Sequence, residues 1–142
     1  MTYIDQTALV ERHGSQILQD LTDKSDPPAG AINALTVATA CAEASAMIDG
    51  YASARYKTPL NPVPPQIPPI ARAIAFYKLH SFEPDPKIVT EYKDALAHLK
   101  QIGHGTLRLP SEGIEPTGVG STGAQVTDRE RPMTAAKMKG FI

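Results

Sequence analysis

The chain has 142 residues, a formal net charge of −1, one cysteine and no tryptophan, with 42% hydrophobic and 20% charged residues. This length suits one domain with a modest core, and the near-zero charge excludes a global basic field that would hold nucleic acid non-specifically. The lone Cys41 excludes an internal disulfide and a cysteine-based zinc site, and the absence of a signal peptide or a run of about 20 apolar residues predicts an intracellular protein without a membrane span.

The N-terminal region, residues 5–21, is predicted to form two short helices. The first ends at Gly14, because glycine suits the position that follows a helix C-terminus. Ile17, Leu18 and Leu21 have helical spacing in the second helix. A polar turn over residues 22–28, which contains two prolines, ends this helix.

A long alanine-rich helix is predicted next, over residues 30–56. Its apolar stripe with 3-4 spacing consists of Ile32, Leu35, Ala38, Cys41, Ala42, Ser45, Ile48 and Ala52. Small side chains on the stripe allow a neighbouring element to approach closely. Gly50 is unfavourable for the helix by about 1 kcal/mol relative to Ala, which indicates tight packing or a slight bend there.

Two further helices are predicted after a proline-rich segment, over residues 67–82 and 85–102. Pro68 and Pro69 fit the first turn of one, while Asp85 caps the other and Pro86 takes its first helical position. Gly103 is predicted to end the last helix. The apolar stripes contain Ile70, Ala71, Ile74 and Tyr77 in the first helix and Val89, Tyr92, Leu96 and Leu99 in the second.

These elements predict an all-α domain, a small bundle of about four helices with one long central helix, over residues 1–102. A glycine-rich extended arm follows over residues 103–142, with a possible short strand over residues 106–109. The end of the arm carries Met133, Met138, Phe141 and Ile142, apolar side chains that the arm cannot bury by itself. We expect this end to dock on another surface; the alternative is a disordered tail that is tolerated.

No pattern of catalytic or metal-binding residues is present. The four histidines, His13, His80, His98 and His104, lack metal-ligand spacing and are expected near helix ends. No GxSxG or Walker A motif exists, and the glycines of residues 118–123 follow no strand, so they predict no dinucleotide site. Asp128 and Glu130 lie in the arm, where they are not preorganised for acid–base work. The sequence therefore predicts no enzyme, cofactor or metal.

Residues 56–70 contain six prolines between two helices. Because both flanking helices carry apolar stripes that need each other, the segment is predicted to be a loop within one domain and not a linker. It is either a rigid ledge at an interface or a stiff chain reversal. The predicted partner contacts are Leu60, Pro62, Val63, Pro64 and Pro65 in the loop and Arg129, Arg131, Met133, Met138 and Phe141 in the arm.

The stretch ASAMIDGYASARYKTPLNPVPP, followed by the helix IARAIAFYKL, resembles a family of small virion proteins of Mu-like phages and prophages. That family belongs with the head–tail adaptor (connector) proteins of tailed phages. The opening TYIDQTALVERHG, the GHGTLRL after the last helix and the terminal MTAAKMKGF are also similar. The family often has a phenylalanine near the C-terminus where this chain has Met133.

The resemblance implies a non-catalytic helical protein assembled as a ring of roughly twelve copies in the virion neck. Its partners would be the portal protein, neighbouring copies and a tail-side neck protein, with DNA passing through the lumen without sequence-specific binding. The first alternative is a tail-terminator or stopper protein, although those are usually rich in β-structure. The second is a small helical protein-binding module or regulator in the host cytoplasm.

Overall fold

The computed structural model describes residues 1–110, which form five α-helices and, within that range, no strand. The all-α prediction is confirmed. The helices are α1 (Gln6–His13), α2 (Ser15–Thr22), α3 (Ala34–Ala52), α4 (Ile67–Leu79) and α5 (Pro86–His104). None of the helices in residues 1–110 combines the length and hydropathy needed to cross a bilayer.

The two short N-terminal helices form as predicted. The carboxylate of Asp5 caps α1 by accepting a hydrogen bond from the backbone N–H of Ala8 at 2.9 Å. Gly14 has a φ of 90°, which L-residues adopt with strain, and it separates α1 from α2. Leu9, Leu18 and Leu21 of these helices are buried. The N-terminal pair therefore closes one side of the core.

Helix α3 is shorter than the predicted helix over residues 30–56, because both of its ends are fixed locally. The Asn33 side chain accepts hydrogen bonds from the N–H groups of Leu35 and Thr36, which fixes the start. At the other end, the N–H groups of Arg55 and Tyr56 both donate to the carbonyl of Ala52. The helix therefore stops before the tyrosine that opens the proline-rich segment.

The buried face of α3 differs from the predicted stripe. The side chains that face the core are Val37, Ala40, Cys41, Ala44, Ser45, Ile48 and Ala52. Leu35, Ala38 and Ala42, which we predicted on the stripe, are exposed, and Leu35 retains 77% of its accessible surface. The prediction was wrong at these positions because α3 carries apolar residues on its exposed side as well as on its buried side, so periodicity alone does not identify the core face.

Helices α3, α4 and α5 form the centre of the bundle in an up-down-up arrangement. Lys78 near the end of α4 pairs with Glu43 in the first half of α3 at 3.0 Å, and Tyr77 stacks on Tyr92 of α5 with ring centroids 4.0 Å apart. The exposed pocket between α3 and α4 is lined by Leu35 and Leu79, which places the N-terminus of α3 beside the C-terminus of α4. Helix α1 packs on α3 and α4. The largest fully buried side chains include Leu9, Leu18, Ile48, Leu60, Ile67, Ile74, Leu99 and Ile102.

The starts of α4 and α5 agree with the prediction, whereas the end of α5 does not. Prolines occupy the first turns of both helices, and the Asp85 carboxylate accepts from the N–H of Lys87 at 2.9 Å. Gly103, predicted as the end, lies inside α5, where an added Cβ would be 3.1 Å from the backbone oxygen of Tyr51. Gly105, with a left-handed φ of 79°, is the actual cap.

The prediction of a short strand over residues 106–109 is wrong. The N–H groups of Thr106 and Leu107 both donate to the carbonyl of Gln101, so the chain curls around the end of α5. Leu109 then turns inward and is buried, with 6% of its surface exposed. These hydrogen bonds to the helix terminus take the place of a strand ladder.

Candidate assembly interface

The proline-rich loop, residues 57–66, presents two sides. Pro62 and Pro65 are exposed and form an outer edge, to which half-buried Val63 contributes the part of its side chain that does not pack against the core. Leu60 is fully buried and Pro64 has less than 2% of its surface exposed. Within this conformation Leu60 and Pro64 pack in the domain's own core and are not available to a partner. Of the predicted partner contacts in the loop, only those at the outer edge are therefore accessible.

The hydroxyl of Tyr3 ties the loop to α3. It accepts a hydrogen bond from the backbone N–H of Leu60 at 2.8 Å and donates to the carboxylate of Asp49. Burial, followed by the hydrogen bond to Asp49, raises the pKa of Tyr3 to about 12. The backbone N–H of Tyr3 also donates to the Ser45 hydroxyl at 3.0 Å. One buried tyrosine thus joins the N-terminal segment, the long helix and the proline loop.

The chain that leaves α5 is held at the same end of the bundle as the loop. The backbone N–H of Leu109 donates to the hydroxyl of Tyr56 at 3.2 Å, and Tyr56 directly precedes the loop. The guanidinium of Arg55 donates to the carbonyl of His104 at 3.3 Å, beside Gly105. The C-terminal part of the chain therefore starts next to the proline loop. Arg129, Arg131, Met133, Met138 and Phe141, the predicted contacts in the arm, lie outside the described residues.

The outer face of α3 is a second unusual surface. Ala38, Ala42, Ala46 and Gly50 follow one another at intervals of four residues, and all four are exposed. A Cβ added at Gly50 would meet no atom within 4 Å. Leu35 continues the same side of the helix and is 77% exposed. Thr39 and Glu43 are the polar residues exposed along this side of α3, so the face is mostly, but not wholly, apolar.

A groove with charged rims lies between α1 and α5, with α4 as its floor. The groove encloses about 270 Å³ and is lined by Arg12, His13, Pro69, Ile70, Arg72, Ala73, Glu91, Asp94, Ala95 and His98. The α1 rim carries Arg12, and the α5 rim carries the carboxylates of Glu91 and Asp94; Arg72 extends from α4. Among residues 1–110, none of these four side chains forms an ion pair, and the Nε of Arg72 is buried without a hydrogen-bond partner. The groove is therefore a surface that carries charges of both signs and one buried guanidinium nitrogen without a hydrogen-bond partner among residues 1–110.

The titratable side chains near this groove have structural contacts. His13 stacks on Phe76 with ring centroids 3.6 Å apart, and burial, then the charge of Arg12, lowers the pKa of His13. The Nδ1 of His80 lies 2.9 Å from the carbonyl of Phe76. Away from the groove, in α3, burial raises the pKa of the Cys41 thiol. Within residues 1–110, no three His, Cys, Asp or Glu side chains come together in a way that would hold a metal ion.

A family model described as "Bacteriophage Mu, Gp36" matches residues 3–128, most of the chain. This chain belongs to the bacteriophage Mu Gp36 family. Gene product J of Escherichia phage Mu is 32% identical over 106 residues, covering 72% of this chain and 73% of that protein. The Mu-like prophage FluMu protein gp36 of Haemophilus influenzae is 25% identical over 140 residues, covering 99% and 98%. The predicted relationship to Mu-like phage proteins is confirmed, so this Gp36-family member is a phage protein.

Sequence reasoning missed three features of this Gp36-family bundle: the Tyr3 junction, the outer face of α3 and the charged groove. Tyr3 and Leu60 are 57 positions apart, so nothing local in the sequence pairs them. The outer face had a visible signal, because Ala38, Ala42 and Ala46 already follow each other at intervals of four. The groove had no such signal, because its rims and floor come from three separate helices.

Proposed function

We propose that this protein is a head–tail adaptor, a structural protein whose copies form a ring in the virion neck. In this role it joins the portal protein to the tail-side neck proteins and prolongs the DNA channel, without catalysis. The observation that carries the proposal is the mostly apolar outer face of α3, a surface that a partner would cover. Membership of a phage protein family favours a partner in the virion.

The physical reason concerns the solvent side of the longest apolar helix. Contiguous exposed apolar surface marks an interaction site, and the exposed side of α3 carries Leu35 and several small residues but few polar side chains. Ala38, Ala42, Ala46 and Gly50 have no side chain longer than a methyl group, so another backbone can approach closely along about four turns. Repeated contacts between two different patches of identical chains close into rings, which suits an adaptor.

The end that carries the proline loop supplies the second kind of contact that an adaptor needs. Pro62, Val63 and Pro65 form a stiff outer edge, and the C-terminal arm starts beside it at Leu109. A proline-rich loop has few conformations to lose, so it binds a partner at a small entropic cost. We assign this end to the portal or the next neck protein and the outer face of α3 to neighbouring copies.

Two substitutions that introduce a negative charge, together with a matched control, test whether the outer face of α3 contacts neighbouring copies. Ala42→Glu and Ala46→Glu place carboxylates on the exposed face of α3, whereas Ala97→Glu makes the same change on the exposed side of α5, between Lys93 and Lys100. All three sites are exposed, so each unfolding free energy should stay within about 0.5 kcal/mol of wild type. Supplied to phage that lack the wild-type gene, the α3 variants should fail to enter virions, while the α5 variant should enter and support infection.

Removing the gene tests the role itself. Electron microscopy of the resulting lysate should show heads and separate tails, and mass spectrometry of wild-type virions should detect this chain. Tails of abnormal length attached to heads would instead indicate a tail terminator. Normal infectious virions without the protein, or its absence from wild-type virions, would refute the adaptor proposal in favour of a host-cytoplasmic role.

A further inference from the structure

The charged groove between α1 and α5 has the features of a receptor for a peptide segment. Its floor is largely apolar, formed by Pro69, Ile70, Ala73 and Ala95, and its rims carry opposite charges. Arg12 and Arg72 supply cations, and Glu91 and Asp94 supply carboxylates. A segment that fits must therefore present an apolar side chain together with charges of both signs.

The chain itself contains such a segment. Residues 128–133 read DRERPM, with acidic and basic side chains in alternation followed by Pro132 and Met133. Asp128 and Glu130 complement the arginines of the groove, Arg129 and Arg131 complement its carboxylates, and the methionine fits the apolar floor. No other stretch beyond residue 110 combines both charge signs at this density with an apolar side chain.

The length of the intervening chain allows the contact. Residues 111–127 can span up to about 56 Å when extended, at about 3.3 Å per residue. The bundle is shorter than this, because a helix of 19 residues such as α5 is about 28 Å long. The segment can thus reach the groove of its own domain or of an adjacent copy, and a tether of this length supplies a high effective concentration.

We propose that residues 128–133 of this chain bind in the groove between α1 and α5. Arg129 and Arg131 pair with Glu91 and Asp94, the acidic residues pair with Arg12 and Arg72, and Met133 covers the apolar floor. This assignment does not depend on the adaptor role, because it concerns a contact between parts of this chain in the purified protein.

Thiol cross-linking of the full-length protein tests the proposal. Ala73→Cys lines the groove and is combined with Met133→Cys, while the control combines Met133→Cys with Ala97→Cys, an exposed position of α5 that does not line the groove. The native Cys41 is buried and stays in place. Under mild oxidation, the groove pair should form disulfide at least about tenfold faster than the control pair. A monomeric product identifies the same chain and a ladder identifies an adjacent copy; both support the groove as the receptor.

Charge reversal provides the second part of the test. Arg129→Glu with Arg131→Glu should reduce the groove cross-linking rate to that of the control, and adding Glu91→Lys with Asp94→Lys should restore it at least partly. Equal rates for the groove and control pairs in the starting protein would overturn the proposal, as would a faster control pair. A rate unaffected by the reversals would overturn the ionic pairing. None of these results bears on whether the protein enters virions.

Discussion

Replacing Tyr3 with phenylalanine tests how the proline loop is held. Tyr3→Phe keeps the buried ring but leaves the N–H of Leu60 without its acceptor and removes the donor to Asp49. Leaving a buried donor unsatisfied costs about 1–3 kcal/mol, so we expect the free energy of unfolding to fall by about 2 kcal/mol. For a chain of this size that corresponds to a Tm lower by about 6–10 °C in a thermal melt followed by circular dichroism.

Tyr77→Phe is the matched control for this measurement. Tyr77 stacks on Tyr92, and its hydroxyl makes no hydrogen bond with any residue of the described range, so its removal should change the unfolding free energy by less than about 0.5 kcal/mol. If the Tyr3→Phe variant had the Tm of wild type, the hydrogen bonds of Tyr3 would not hold the loop as we infer.

The raised pKa of Tyr3 also predicts how stability changes with pH. The unfolded chain releases the phenolic proton near pH 10 and the folded chain near pH 12, so this contribution to stability is full below pH 10 and is lost between pH 10 and pH 12. Tyr3→Phe should remove that part of the loss.

Further predictions concern the arm's start, the histidine stack and the two sides of the loop. Gly105→Ala adds a Cβ that would meet the Arg55 guanidinium at a positive φ, so it should destabilise the fold by about 1–2 kcal/mol in urea unfolding. Gly50→Ala, at an open helical site, should instead stabilise it by up to about 1 kcal/mol. Because the pKa of His13 is lowered on folding, stability should be full above about pH 6.5 and decline below it; His13→Phe, which keeps the stack on Phe76, should flatten this decline in Tm measured from pH 7.5 to 5. Leu60→Ala should cost about 2–5 kcal/mol in the same urea assay, whereas Pro65→Asp, at an exposed position, should leave the free energy of unfolding nearly unchanged and block incorporation into virions. A stable Leu60→Ala variant would contradict the inward assignment of that side chain.

The helices and their starts were predictable because the signals are local. Asp85 and Pro86 lie within one turn of the helix that they start, and Gly14 breaks the chain at its own position. Such signals depend on the backbone conformation of a few neighbouring residues, which the sequence specifies directly. The end of α5 was misjudged because two glycines, Gly103 and Gly105, compete there, and only the tertiary contact with Tyr51 shows that the first belongs inside the helix.

The faces of α3 were less predictable for a different reason. Periodicity identifies a core face when polar residues mark the opposite side, and in α3 this contrast is weak because Thr39 and Glu43 alternate with alanines on the exposed side. The tertiary partners decided which small residues became buried: α4, α5 and α1 cover Val37, Ala44 and Ile48. The small and apolar residues on the exposed side, which obscured the core face in the sequence, are also the observation on which we base the proposed assembly role.

The proline loop unites the two interpretations that its sequence left open. Leu60 and Pro64 point into the core, and the N–H of Leu60 is bound by Tyr3, so the loop is a reversal that the domain needs in order to fold. Pro62 and Pro65 point outward beside the start of the C-terminal arm, so the same loop presents a stiff edge. The buried contacts of Leu60 and Pro64 restrict the backbone between the exposed prolines, so the outer edge of the loop has one preferred conformation. Its interior contacts therefore preorganise the surface that we assign to the portal or the next neck protein.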